Sequence, residues 1–270
     1  MYWTDVDHSF CEANMNGLPE YYNAISSLFI MGFGINGMMN IYNELFVDIL
    51  YANLIIVGFG SVGYHWYGNI GWGLFDEIPM ILSIFIGIIY TDNVHYLTSK
   101  RMYEMDIKRA YEHDATSINY LLYKRKCKLC VYLFLMSVII INNTMSNFRK
   151  LFPTIFACVA GYLYYKIFML LRVINIQMEY LVATKTYNSI LTIAVSGAIW
   201  VATEASCNYI QHPIFLIGHP MWHLFIGHGF YNLIQVVYFI KLNDMDRKLE
   251  YNRFYLLQGT QVPPPMVIET

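Results

Sequence analysis

The sequence predicts an all-α membrane protein, a bundle of seven transmembrane helices. Three observations carry that expectation. Of the 270 residues, 57% are hydrophobic and only 13% are charged, where an ordinary soluble domain carries about 25% charged residues. Apolar runs of roughly 17 to 21 residues recur along the chain, the length at which a helix crosses a bilayer core. Basic residues gather on alternate connections between those runs, as they do on the cytoplasmic side of membrane proteins.

The expected spans lie near 22–42, 47–67, 73–92, 129–145, 151–171, 188–206 and 220–240, within one domain covering 1–270. The fourth ends early at "NNTMSN", Asn142 to Asn147. Linkers of a few residues make the first three spans antiparallel neighbours. Met1 to Glu20 is polar and acidic, without the basic start and short apolar core of a cleavable signal, so the first span is expected to direct its own insertion. No short-period repeat and no low-complexity segment is visible. "PPPM" at Pro263 to Met266 falls in a tail, from about 255, that reads as flexible. The net charge of −2 gives no global field to attract nucleic acid.

Orientation follows from the basic residues. The connection after the third span holds Lys100, Arg101, Lys108, Arg109, Lys124, Arg125, Lys126 and Lys128. Placing it in the cytoplasm also places Arg172, Lys185, Lys241, Arg247, Lys248 and Arg253 there, with Arg149 and Lys150 outside and Lys166 within a span. The N-terminus is then luminal or extracellular and the C-terminus cytoplasmic. In that frame the polar residues of the spans converge at the luminal end: Ser61 and His65 close span two, Asp76 and Glu77 open span three, and His219 and His223 open span seven.

Ser61 and His65 are four residues apart, so they share one helix face, and His219 and His223 share another. Three histidines and a hydroxyl on two helices can meet inside a bundle, where metal sites are often built. Three protein ligands and an open fourth position is the pattern of catalytic zinc. The bland reading is that each histidine hydrogen-bonds a nearby carbonyl or packs at an amphipathic edge. It weakens for the set, because ionisable groups in spans are costly and usually functional. For Asp76 and Glu77 the bland reading is solvation at a helix start, where the macrodipole favours acids. His228 is rotated roughly 140° from His223 and reads as a packing or supporting residue. His8, His95, His113 and His212 receive no role. Cys127 and Cys130 form a lone C-x-x-C, read as a free thiol pair. Asn142-Asn143-Thr144 matches a glycosylation acceptor that hugs the membrane.

The motifs together resemble the alkaline ceramidase family: S-x-x-x-H in span two, "DEIPM" (Asp76 to Met80) opening span three, and "HPMWH" (His219 to His223) opening span seven. "FCEANM" (Phe10 to Met15) and "EYYN" (Glu20 to Asn23) are similar to that family's N-terminal segments, so the resemblance runs from residue 9 to about 232. It implies a seven-span zinc-dependent amidohydrolase that cleaves ceramide, drawn from the lipid bilayer, to a sphingoid base and a fatty acid. It also implies zinc on His65, His219 and His223, with Ser61 and Asp76 as catalytic residues. A calcium site is implied at Glu12, Asn14, Glu20 and the Phe10 carbonyl. Ser9 stands at a further calcium position where the family has aspartate, and the spacing from Asn14 to Glu20 is shorter than the family's. The resemblance joins Cys11 to Cys207 in a disulfide and favours the endoplasmic reticulum or Golgi. Glu204 lies one position from the family's usual acid, a place held here by Thr203, and its role stays open.

On this reading Asp76 takes a proton from water and passes it to the leaving amine, while Ser61 hydrogen-bonds the developing oxyanion. Two alternatives remain. A related seven-span zinc protein would act on another lipid, as GPI-lipid-remodelling or adiponectin-receptor-like proteins do. A non-enzymatic receptor or transporter would spread its polar residues along a central pathway, whereas here they cluster at one end.

Overall fold

The computed structural model describes residues 10–40, 44–107, 115–145, 151–173 and 176–244. Ser9 and the C-terminal tail fall outside them. The described residues are helical and contain no strand. In chain order the helices are α1 (Cys11–Asn16), α2 (Tyr21–Met39), α3 (Leu45–Tyr67), α4 (Ile70–Ile107), α5 (Ala115–Thr144), α6 (Phe152–Leu171), α7 (Ile176–Cys207) and α8 (Gly218–Asp244). A 3-10 turn over Pro213–Ile217 precedes α8, and His212 Nδ1 accepts the Ile214 N–H at its start.

Among the described residues, five segments are long and apolar enough to cross a membrane: Leu45–Tyr67, Ile70–Thr98, Arg125–Thr144, Phe152–Leu171 and Val182–Cys207. The other two expected spans coincide with α2 and with α8. Those helices fall short of the same mark because they carry polar side chains. Asn23, Ser26 and Ser27 are buried on α2, and His219, His223, Asn232 and Gln235 on α8. The helices also outrun the expected spans. α4 continues to Ile107 and α5 begins at Ala115, through the basic connection expected as a loop. Lys, Arg, Glu and Met are good helix formers, so loss of hydropathy marks where a bilayer would end and not where the helix ends.

The chain divides into two compact units, residues 1–80 with 180–270, and residues 81–179. In the second unit, Lys166 on α6 donates to Asp92 on α4 at 2.8 Å, and the Tyr132 hydroxyl on α5 donates to the same carboxylate at 2.8 Å. The cation expected inside a span thus has its counter-ion, as intramembrane charges require.

The first unit contains the α3–α4 corner that positions the polar residues. α3 ends at Gly68, whose φ of 67° is the left-handed conformation that suits glycine, and whose N–H closes on the Tyr64 carbonyl. Asn69 then accepts the Trp72 N–H with its side chain at 3.1 Å, satisfying a first-turn amide of α4. Two residues bring α4 back against α3. Pro79 lies inside α4 and has no N–H to offer the Phe75 carbonyl one turn earlier. That carbonyl oxygen lies 2.5 Å from where a Cβ on Gly60 would stand, and Asp76 N lies 2.7 Å from it. Only glycine permits this approach, which sets the Asp76 backbone against α3 at Gly60, the residue before Ser61.

Candidate metal centre

The α3 pair and the α8 pair meet. Possible ligand atoms of His65, His219 and His223 lie within 4.8 Å of one another. The three side chains are buried, with 2%, 5% and 3% of their residue surface exposed. Their ring centroids stand 4.6 to 5.1 Å apart. Phe10 covers the cluster, edge-on to His219 at 4.4 Å and tilted against His65 at 5.2 Å.

In each imidazole Nδ1 is turned towards an oxygen. His65 Nδ1 lies 2.5 Å from Glu20 Oε2. His223 Nδ1 lies 2.8 Å from Ser26 Oγ and 3.3 Å from Ser27 Oγ. His219 Nδ1 lies 3.4 Å from Glu204 Oε1. An ionised carboxylate can only accept, which assigns the His65 proton to Nδ1 and leaves a lone pair on Nε2. Ser26 gives its single hydroxyl hydrogen to the Asn23 carbonyl at 2.9 Å, so it accepts from His223 and the same tautomer follows. Metal-binding histidines characteristically spend their second ring N–H on such a partner. The donor set therefore fits a transition-metal ion: buried imidazoles converging from two helices, each backed by an oxygen.

Ser61 is buried on the His65 face, with its Oγ 3.0 Å from Ser27 Oγ. Asp76 is half-buried and Glu77 buried. His228 stays outside the trio, beside the Phe33 ring and the Asn232 side chain.

The residues expected to hold calcium are gathered at the α1–α2 junction with their carboxylates already engaged. Glu12 accepts the Tyr22 and Asn23 backbone N–H groups at 2.8 and 3.0 Å, capping the start of α2. Glu20 Oε1 accepts the Phe10 N–H at 3.2 Å, and Oε2 accepts from Asn23 Nδ2 at 3.0 Å as well as facing His65. The Phe10 carbonyl accepts the Asn14 N–H at 3.0 Å. All four carboxylate oxygens therefore have protein donors. Asn14 is exposed.

Cys11 and Cys207 form a disulfide with their Cα atoms 5.7 Å apart, across 196 residues of sequence. It fastens α1 to the end of α7. Cys127, Cys130 and Cys158 are free and exposed. Four contributions escaped sequence reasoning: Ser26, Ser27, the Glu20 contact with His65, and Glu204 beside His219. One signal was available. Glu20, Asn23, Ser26 and Ser27 recur at helical spacing and form a polar stripe at the same end as the histidines.

Residues 4–266 match the family model described as Ceramidase. The chain belongs to the ceramidase family. No curated protein matches it. Ceramidase membership implies an amidohydrolase acting on a membrane lipid, and a metallo-hydrolase at that. The histidine trio gives this ceramidase-family chain a place for the metal, and its apolar helices make it a membrane protein.

Proposed function

We propose that this protein hydrolyses the amide bond of ceramide to a sphingoid base and a free fatty acid, at a zinc centre held by His65, His219 and His223. The observation that carries the reading is the buried trio, each ring backed at Nδ1, in a chain of ceramidase lineage. Three imidazoles are the ligand set of a hydrolytic zinc, which supplies Lewis acidity towards a carbonyl and lowers the pKa of water. Asp76 takes the proton of the attacking water and hands it to the amine nitrogen as the C–N bond breaks. Ser61 turns its hydroxyl to the carbonyl oxygen as negative charge gathers there. Phe10 and the apolar helix faces keep bulk water from the reacting carbonyl while the lipid tails stay in the bilayer.

The proposal includes a single seven-span domain, with α2 and α8 as the spans beyond the five apolar ones. The trio lies at the luminal end and the C-terminus in the cytoplasm, in the endoplasmic reticulum or Golgi. The charge bias of the connections supports that orientation. A protease-accessible tag at the C-terminus of sealed microsomes, read beside markers of both organelles, is expected on the cytoplasmic face. A luminal tag would reverse the orientation. Calcium at Glu12, Asn14, Glu20 and the Phe10 carbonyl, with Ser9 nearby in sequence, would use the second lone pairs of oxygens that already accept protein hydrogen bonds.

Purified protein should contain about one zinc per chain and release fatty acid from ceramide. Chelation should abolish that release and zinc should restore it. Zinc without ceramide turnover would overturn the substrate and direct the search to another lipid amide or ester. Activity in metal-free protein would overturn the centre itself. Elemental analysis of the same sample reads calcium, and its absence would remove that part of the proposal.

A further inference from the structure

We propose that Glu204 is the positioning residue of His219, a carboxylate that fixes the ring's tautomer and ties it to the disulfide-anchored N-terminal helix. The inference rests on the metal-centre reading above.

Trp200, Thr203 and Glu204 share one face of α7 by their spacing of three and four residues. That face meets the start of α8. A Cβ on Gly218 would stand 2.7 Å from Thr203 Cβ and 2.8 Å from its Cγ2, so the two helices approach to a distance only glycine allows. Thr203 Oγ1 stays tied to the Ile199 and Trp200 carbonyls of its own helix, each at 2.9 Å. His219, the next residue after Gly218, is consequently delivered into a fixed setting. The Trp200 ring lies 5.3 Å from it and the Phe10 ring 4.4 Å.

Glu204 completes that setting with both of its oxygens. Its Oε2 accepts the Cys11 N–H at 2.7 Å, and its Oε1 faces His219 Nδ1 at 3.4 Å. At 3.4 Å the contact is longer than a short hydrogen bond, so its part is to face the ring with an oxygen. Cys207, three residues further along α7, holds Cys11 by the disulfide, so the donor that anchors Oε2 cannot drift. Each of the three rings therefore has an oxygen facing Nδ1: Glu20 and Ser26 at hydrogen-bond distance from His65 and His223, and Glu204 further off, at 3.4 Å from His219. Among these supports, Glu204 alone also receives a hydrogen bond from a disulfide-bonded residue.

Glu204→Gln separates the two tasks. The amide keeps one acceptor oxygen, which the Cys11 N–H can still use. Its NH2 group then faces Nδ1 and favours an unprotonated Nδ1, placing the ring proton on Nε2 where a metal must bind. Zinc affinity, read by chelator competition, should fall about 10- to 100-fold, and the absorption spectrum of the cobalt-substituted protein should change. Thiol titration and the thermal midpoint should match wild type, since the helix anchor remains. Glu204→Asp, one methylene shorter, should give an intermediate affinity, and it decides the matter on the same readouts if the glutamine variant does not fold. Wild-type affinity together with a wild-type cobalt spectrum in the variant would overturn the role of Glu204 alone. Failure of the wild-type protein to bind zinc would overturn this inference and the metal centre with it.

Discussion

His219→Ala is expected to yield a folded protein that retains no zinc and hydrolyses ceramide at least about 10³-fold more slowly. Catalytic zinc sites use three protein ligands, and this substitution leaves two. A metal's transition-state stabilisation is worth several kcal/mol, and about 4 kcal/mol corresponds to that loss of rate. The fold should survive, because the Cys11–Cys207 disulfide and the Glu204 bond to Cys11 still hold α1 against α7. His228→Ala is the matched control on the same helix. Its ring meets Phe33 and Asn232 and stands apart from the trio, so metal content and turnover should stay near wild type. Elemental analysis and fatty-acid release, made on one preparation of each variant, read both quantities. A His219→Ala protein that kept stoichiometric zinc would mean that the trio is a packing cluster and the ceramidase chemistry lies elsewhere.

The centre's skeleton was legible because helices convert spacing into direction. Ser61 with His65 and His219 with His223 share faces by their numbers alone, and the charge-poor runs located the helices that carry them, α3 and α8. Glu20 was visible as an acid and not as the partner of His65, because that contact joins residues 45 positions apart. It requires the path of the chain from α1 into α2, where the Glu20 N–H also bonds the His65 carbonyl at 2.9 Å. Ser26 and Ser27 gave no signal in hydropathy, since a hydroxyl that bonds back to a carbonyl of its own helix carries little sign there. Glu204 was harder still. Whether it or Thr203 faces His219 depends on the rotation of α7, which the close passage at Gly218 sets. The extents of α4 and α5 escaped for a different reason. Hydropathy falls where charges begin, while the backbone hydrogen bonds that define a helix continue through them.

Asp76→Asn tests the chemistry rather than the metal. Asparagine has nearly the size of aspartate and keeps an acceptor oxygen, so the packing beside Gly60 should persist. Asp76 lies outside the histidine trio, so zinc should remain bound at wild-type stoichiometry. What the amide cannot do is take a proton from water and return it to the amine. General acid–base groups contribute about 10²–10⁴-fold, and kcat should fall by that factor with KM little changed, the pattern of a group needed only in the transition state. The neighbouring acid separates this role from a general need for negative charge. Glu77 projects about 100° away around α4, so Glu77→Gln should not reproduce the loss. Turnover persisting in a zinc-loaded Asp76→Asn protein would pass the base to another group. A matched loss of zinc and turnover would instead make Asp76 part of the metal's support. Only a loss of rate with the metal in place assigns the proton to Asp76, and the close approach of α4 to Gly60 is the feature of the backbone that would put it there.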